Sequence, residues 1–445
     1  MTLDLDSLPL LAEALTTLST GFDSLPPFEE TPDLEKMREV LAELAVRMRD
    51  NYPYHHPLYA GQMLKPPHPV ARLAYALALS INPNNHALDG GRATSRLERQ
   101  AVAGIARMFG WEAHLGHLCG GGTMANLEAL WVAGQLRPGQ RVVASSQAHY
   151  THARISGVLG LSFERVGCDP LGRMDTTALE RLLARGEVGT VVATAGATAV
   201  GAIDPLPDIL ELKKRYDFRL HVDAAYGGYF TLARNISPHA RAAFDAVRQA
   251  DSIVIDPHKH GLQPYGCGCV LFADPGVGAL YKHDSPYTYF TSDELHLGEI
   301  SLECSRPGAA AAALWATMRL LPLAPGGDFA AGLEQSRQAA LRLYTRLAGD
   351  RRFIVAFAPE LDIVVFAVRG ASSTEASQRA AQVFRQAAAL DLHLALATLP
   401  RAMFEGHDIA WNSDTITCLR SVLMKPAHDA WLDEIWRRLD AATAF

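Results

Sequence analysis

The residues best suited to chemistry stand at the ends of two short apolar runs. Asp256-Pro-His-Lys259 follows Ser-Ile-Val-Ile and precedes the glycine-rich stretch GLQPYGCGCVLF. A lysine forms an imine with an aldehyde only when its amine is neutral, and a desolvated site favours that by penalising the charged form. Lys259 stands between an apolar strand and a glycine-rich segment, as that requires, although a bare His-Lys pair is otherwise an ordinary solvated loop end. Upstream lies His221-Val-Asp-Ala-Ala-Tyr226. A carboxylate at a strand end, here Asp223, can pair with the protonated ring nitrogen of an aldehyde cofactor and keep the ring an electron sink. Its plainer role is to cap the next helix. A third segment, Cys119-Gly-Gly-Gly-Thr-Met-Ala-Asn-Leu127, lies between a strand and the helix ANLEALWVAG. Backbone N–H groups at such a helix start can hold a phosphate, or the glycines can simply make a tight turn.

Taken together, HVDAAYGG and DPHK resemble the paired signature of the group II pyridoxal-phosphate-dependent amino-acid decarboxylases. These include glutamate, aromatic-amino-acid, tyrosine-aspartate and cysteine-sulfinate decarboxylases. The likeness runs from about residue 50 to residue 426, with the specific motifs in the middle. It implies a Lys259 Schiff base with pyridoxal 5'-phosphate, Asp223 on the ring nitrogen, and Gly122 and Thr123 at the phosphate. It further implies His149 of Ser-Ser-Gln-Ala-His stacked on the ring, Ala225 on the opposite face, Thr198 of ATAGAT near the ring and His258 at the phosphate. One departure is Met124, where relatives often carry Glu. His56-Pro-Leu-Tyr-Ala-Gly-Gln62 resembles a substrate loop, which assigns substrate contacts to Tyr59 and Gln62, while ECSRPGAAAAALW resembles the helix entry after a mobile loop. Arg420 in TCLRSVLMKP matches the arginine that binds the substrate carboxylate; its plainer reading is a surface ion pair. In HDSPYTYFTSDELHLGE the resemblance assigns proton delivery to Tyr287, with Tyr289 as second choice, against the plainer role of an aromatic anchor.

The implied reaction is decarboxylation of an L-amino acid to its amine and carbon dioxide. Transamination, carbon–carbon lysis and oxidative decarboxylation share the same cofactor residues and stay open, as does a non-catalytic binding or scaffold role. Retention of Lys259, Asp223 and His149 together argues against the last. The resemblance also implies a homodimer with active sites at the subunit interface. Tyr59, Gln62 and the Tyr287 region suit an aromatic or an acidic substrate equally.

Positioning these residues requires an α/β framework. From about residue 100, short apolar strands (RVVASS, GTVVATAG, FRLHVDAAY, SIVIDPHK) alternate with amphipathic helices (SRLERQAVAGIARMFG, TTALERLLAR, PDILELKKRY). That pattern predicts a mainly parallel sheet covered on both faces, with its ligand site at the strand carboxyl ends. After the helix GAAAAALWATMRLLPL the pattern changes: a helix, two adjacent antiparallel strands FIVAFAP and LDIVVFAV, another helix, the strand TITCLRSVLM and a terminal helix. The expected organisation is an N-terminal helical arm with substrate loop over 1–80, a large cofactor domain over 81–322, and a small α+β domain over 323–445, in the manner of fold-type-I enzymes.

Composition narrows the partners. The 445 residues are 49% hydrophobic and 20% charged, with a net charge of −7. Such a surface has no general attraction for nucleic acid or anionic membrane. The acidic, amphipathic start lacks the basic entry and apolar block of a secretory signal, and no apolar run spans a bilayer, so a cytoplasmic enzyme with a small-molecule substrate is expected. Six scattered cysteines read as buried thiols, and Cys267-Gly-Cys269 has no second pair at metal-binding spacing, so no metal is expected.

Overall fold

Runs of β-branched residues build the larger sheet. The computed structural model describes residues 6–26, 31–282 and 296–444. Within it β1 (Leu115–Cys119), β2 (Arg141–Ser145), β3 (Phe163–Val166), β4 (Val188–Thr194), β5 (Arg219–Asp223), β6 (Ser252–Ile255) and β7 (Gly268–Phe272) form one sheet. Its strand order is β1-β7-β6-β5-β4-β2-β3. Pairs from β3 through β6 are parallel, and β7 alone runs against both its neighbours. The sheet is therefore mainly parallel, and the carboxyl ends of β2, β4, β5 and β6 share one edge, with Thr194 beside Asp223 and Asp223 beside Val254.

Both faces of this sheet are buried, which is why its strands read as continuous apolar runs. Alternate side chains leave on opposite sides. Val143, Val191, Leu220, Val222, Ile253 and Leu271 enter one core. Val142, Ala144 and Val192, and further along Val254, Val270 and Phe272, enter cores on the other side, where the helix Gly122–Leu136 contributes Ala125, Ala129, Leu130 and Val132.

A second sheet, wholly antiparallel, contains β8 (Phe353–Ile354), β9 (Ile363–Val368), β10 (Ala395–Pro400) and β11 (Thr415–Val422) in the order β10-β11-β9-β8. Helices Asp328–Ala348, Ser373–Ala389 and Leu432–Ala442 share a core with one face, through Leu343, Val383, Leu432 and Ile435 against Phe366 and Leu419. On β11 the alternation sends Leu419 into that core, and Cys418 and Val422 into the core of the larger sheet. Arg420 has the parity of the latter pair, so it faces the larger sheet.

Three strands escaped the sequence pattern, each for a physical reason. β3 lies at a sheet edge and reads Phe-Glu-Arg-Val, half polar. β7 is fully buried, but its entry is disguised by glycines. β10 is an edge strand that ends in proline, a residue tolerated there because no donor is needed. Cys119, Cys267, Cys269 and Cys418 are buried free thiols, whereas Cys168 is half-buried and Cys304 exposed, which corrects the expectation of six buried thiols. Among the described residues no helix is long and apolar enough to cross a membrane.

Candidate active site

The strand carboxyl ends open on a cavity of about 490 Å3. Gly122, Thr123, His149, Thr198, Asp223, Ala225, His258 and Lys259, all singled out in the sequence, line it together. A larger cavity of about 880 Å3 lies between the helices Arg92–Met108 and Gly308–Leu320, and none of those residues reaches it.

Backbone geometry shapes the end of the cavity where the helix Gly122–Leu136 begins. Gly121 has φ 139°, in the region open only to glycine, and a Cβ there would come within 3.2 Å of His258 Cε1. A Cβ on Gly122 would stand 2.6 Å from Asp256 Oδ2. The two glycines thus let the helix N-terminus, with its outward N–H groups, close on the loop that carries His258 and Lys259. His258 is fixed by Nδ1 donating to the Cys267 carbonyl at 2.8 Å, and burial lowers its imidazole below the usual range. Gly120 N–H donates to Glu303 at 3.0 Å, so Glu303 also reaches the cavity wall.

Lys259 Nζ lies 3.0 Å from Asp256 Oδ2, and Asp256 is buried. Asp223, at the end of β5, accepts from His152 Nε2 at 2.8 Å, from Asn126 Nδ2 at 3.4 Å, and from the Ala225 N–H at 3.1 Å. Burial is the largest single influence on Asp223 and opposes its charge; the His152 hydrogen bond and the nearby Lys259 amine outweigh it and hold the carboxyl well below the ordinary range. Burial also lowers the His149 imidazole, against the pull of Asp223, and its Nδ1 is tied to Thr151 Oγ1 at 2.8 Å.

The remaining candidates sit elsewhere. Arg420 is buried, not a surface ion pair, and does not line the cavity. It donates to the carbonyls of Ala199 (3.1 Å), Thr198 (2.7 Å) and Gly61 (3.3 Å) and to Gln62 Oε1 (3.4 Å). It thereby binds the Thr198 loop to the Gly61–Gln62 segment. Tyr59 is buried beside this point, its carbonyl accepting from Lys425 Nζ at 2.6 Å, and it is not part of the cavity wall either. Tyr287 and Tyr289 lie outside the described residues. Sequence reasoning missed His152, Asn126, Asp256 as a side chain, and Glu303. The i, i+3 spacing of His149 and His152 across a helix start was the one available signal for the first.

An amine, a buried anion, a glycine-opened helix N-terminus and an imidazole on one cavity are a donor set that fits pyridoxal 5'-phosphate: Lys259 for the aldehyde, the helix start for the phosphate and Asp223 for the ring nitrogen. Fold and site define a fold-type-I pyridoxal-phosphate enzyme. The model of the pyridoxal-dependent decarboxylase conserved domain matches residues 53–369. A probable L-tyrosine/L-aspartate decarboxylase of Methanothermobacter thermautotrophicus is 30% identical over 315 residues, covering 69% of this chain and 82% of that one. The L-tyrosine decarboxylase of Levilactobacillus brevis is 28% identical over 399 residues, covering 67% and 63%. Among solved structures, mouse CSAD superposes with TM-score 0.79 at 21% identity over 96% of this chain and 92% of that one. Oryza sativa TDC, with PLP and tryptamine, gives TM-score 0.79 at 17% identity over 100% and 99%. This chain belongs to the pyridoxal-dependent decarboxylase family and is a PLP-dependent amino-acid carboxy-lyase.

Proposed function

We propose that the cavity at the strand ends is the site of decarboxylation and that the substrate is L-tyrosine or L-aspartate, the amino acids named for the relatives. The observation that carries this reading is the convergence of Lys259, Asp223 and His149 on one cavity wall. Bound pyridoxal phosphate supplies an electron sink for the pair left at Cα when carbon dioxide departs. Lys259 supplies the amine that carries the cofactor. Gly122, Thr123 and His258 hold the phosphate, His149 and Ala225 enclose the ring, Thr198 abuts it, and Asp223 holds a proton on the ring nitrogen. Arg420, with Tyr59 and Gln62, serves the orientation of the substrate carboxylate from behind the cavity wall, through the Thr198 loop that it holds, a positioning effect that can supply several kcal/mol, about 7–11 in the best intramolecular cases. Tyr287 delivers the proton to Cα.

We extend the proposal to a cytoplasmic homodimer with a helical arm over 1–80, a cofactor domain over 81–322 and a small domain over 323–445. The helix Leu34–Met48 supports the dimer: it buries none of its side chains, and Met37, Leu41 and Leu44 stand at least 49% exposed. Two measurements test the function. Borohydride reduction of the loaded protein should fix a pyridoxyl group on Lys259, read by peptide mass spectrometry; label on another lysine refutes the assignment. Carbon dioxide should be released from L-tyrosine or L-aspartate in step with the matching amine. Release from neither overturns the substrate class, and aldehyde or keto acid in place of amine overturns simple decarboxylation.

A further inference from the structure

Asp223 rests on a buried hydrogen-bond network that reaches well behind the cavity. His221 engages Ser252 Oγ through Nδ1 at 2.9 Å and Asn126 Oδ1 through Nε2 at 2.8 Å. Burial holds its imidazole down to about 3, so at neutral pH it carries one proton. With that proton on Nε2 it donates to the Asn126 oxygen, which turns the amide nitrogen toward Asp223 and toward the Gly122 carbonyl at 2.8 Å. Asn126 thus passes a donor to the carboxylate. His152 supplies the shorter contact. Its ring is wholly buried, its Nε2 lies 2.8 Å from Asp223 Oδ2, and its Nδ1 meets no partner among the described residues. An ionised carboxylate only accepts, so Nε2 carries the hydrogen; a proton on Nδ1 would be buried without an acceptor, which is costly.

We propose that His152 is a positioning residue for the reaction. Donating from Nε2 to Asp223, it fixes the carboxylate's orientation and keeps it ionised, and through it keeps the cofactor's ring nitrogen protonated. The argument rests on Asp223 facing that nitrogen, as proposed above. Its physical content is that His152 and Asn126 both load Oδ2, whereas Oδ1 takes a single backbone N–H from Ala225 and retains capacity for the ring. A hydrogen bond to a charged group of this kind is worth roughly tenfold or more in an equilibrium.

The test compares His152→Phe, which removes the donor, with His152→Gln, which restores an N–H, and with Asp223→Asn. Pyridoxal phosphate is titrated into each cofactor-free protein, and the visible band of each loaded protein is followed against pH. His152→Phe should weaken cofactor binding about tenfold. It should also move the band's midpoint to higher pH, because a ring without its positive charge leaves the nitrogen joined to Lys259 easier to protonate. His152→Gln should recover most of both. Unchanged affinity and midpoint in His152→Phe would overturn the role of His152; if Asp223→Asn is also unchanged, the role of Asp223 falls with it, and if Asp223→Asn alone moves, only His152 is wrong. Should His152→Phe not fold, histidine 15N NMR of the unaltered, cofactor-free protein decides the matter: the His152 proton on Nε2 supports the proposal, and a proton on Nδ1 alone overturns it.

Discussion

Gly122→Ala isolates the close approach on which the site depends. The added Cβ would meet Asp256 Oδ2 at 2.6 Å and its Cγ and Oδ1 at 3.1 Å. Neither side can yield easily: Gly122 opens the helix Gly122–Leu136, and Asp256 is 2% exposed and paired to Lys259 Nζ at 3.0 Å. Forcing a methyl into such packing costs about 1–3 kcal/mol. At 1.4 kcal/mol per factor of ten, that is roughly a 5- to 150-fold effect on an equilibrium. Because the displaced carboxylate holds the lysine amine and the displaced N–H groups are the ones proposed to hold the phosphate, the loss should divide between folding and cofactor binding. Thermal melting of the cofactor-free variant and titration with pyridoxal phosphate read the two shares. Gly157→Ala is the control, since a Cβ there meets nothing within 4 Å; in a helix this change should be neutral or mildly stabilising. If Gly122→Ala melts and binds as Gly157→Ala does, the steric account of this helix entry is wrong.

Arg420→Met should do more than weaken carboxylate recognition: with the Thr198, Ala199 and Gly61 carbonyls stripped of their donor, it should destabilise the protein by about 2–5 kcal/mol, read by urea unfolding, and raise KM. A folded variant with unchanged stability and kinetics would place both roles elsewhere. Tyr287→Phe should keep carbon dioxide release while shifting product from amine toward aldehyde, and native amine formation in both this variant and Tyr289→Phe would move proton delivery to another group, His149 first. His428 bears on pH: burial holds its imidazole down to about 3, and its Nδ1 accepts from Lys425 N–H at 3.2 Å. The unfolded chain binds a proton there below about pH 6.5 that the folded protein refuses until about pH 3, so stability falls as pH drops through that window. Between pH 7 and pH 5, His428→Gln should lose roughly 2 kcal/mol less than the parent in urea unfolding, and equal losses would refute the assignment.

What the sequence disclosed and what it hid follow from the range of the interactions involved. β4, β5 and β6 are buried on both faces, so burial alone wrote their apolar runs, and a parallel sheet then dictates where their carboxyl ends must meet. Asp223 ends such a run, Lys259, His149 and Thr198 each follow one by a few residues, and the cavity they share was legible for that reason. Arg420 was legible as a residue but not as an environment. Its donors are taken by carbonyls of residues 61, 198 and 199, which no local pattern links to β11. Asp256 was hidden in the same way, since its importance lies in the distance to Gly122 and not in any spacing. His152 falls between these cases: its neighbour His149 drew the reading, and only the path of the helix Thr151–Val158 turns the second imidazole toward Asp223.

Two of the three carboxylates on the cavity, Asp223 and Asp256, have surroundings that suit them to different tasks. Asp223 collects donors from a side chain on each of two helices and from its own turn, none of them a fixed cation, so its charge is satisfied without consuming a counter-ion. Asp256 is arranged in the opposite sense: its Oδ2 faces the Lys259 amine and, at 3.5 Å, the His258 ring, while Oδ1 meets no hydrogen-bond partner among the described residues. A buried carboxylate with a bare oxygen depends on its one close cation. Asp256 is therefore in direct contact with the lysine amine, whereas Asp223 is helped by that amine through space and held in contact by its own neutral donors. If Asp223 faces the cofactor's ring nitrogen as proposed, these neutral donors give the ring a counter-charge that leans less on the lysine amine than Asp256 does.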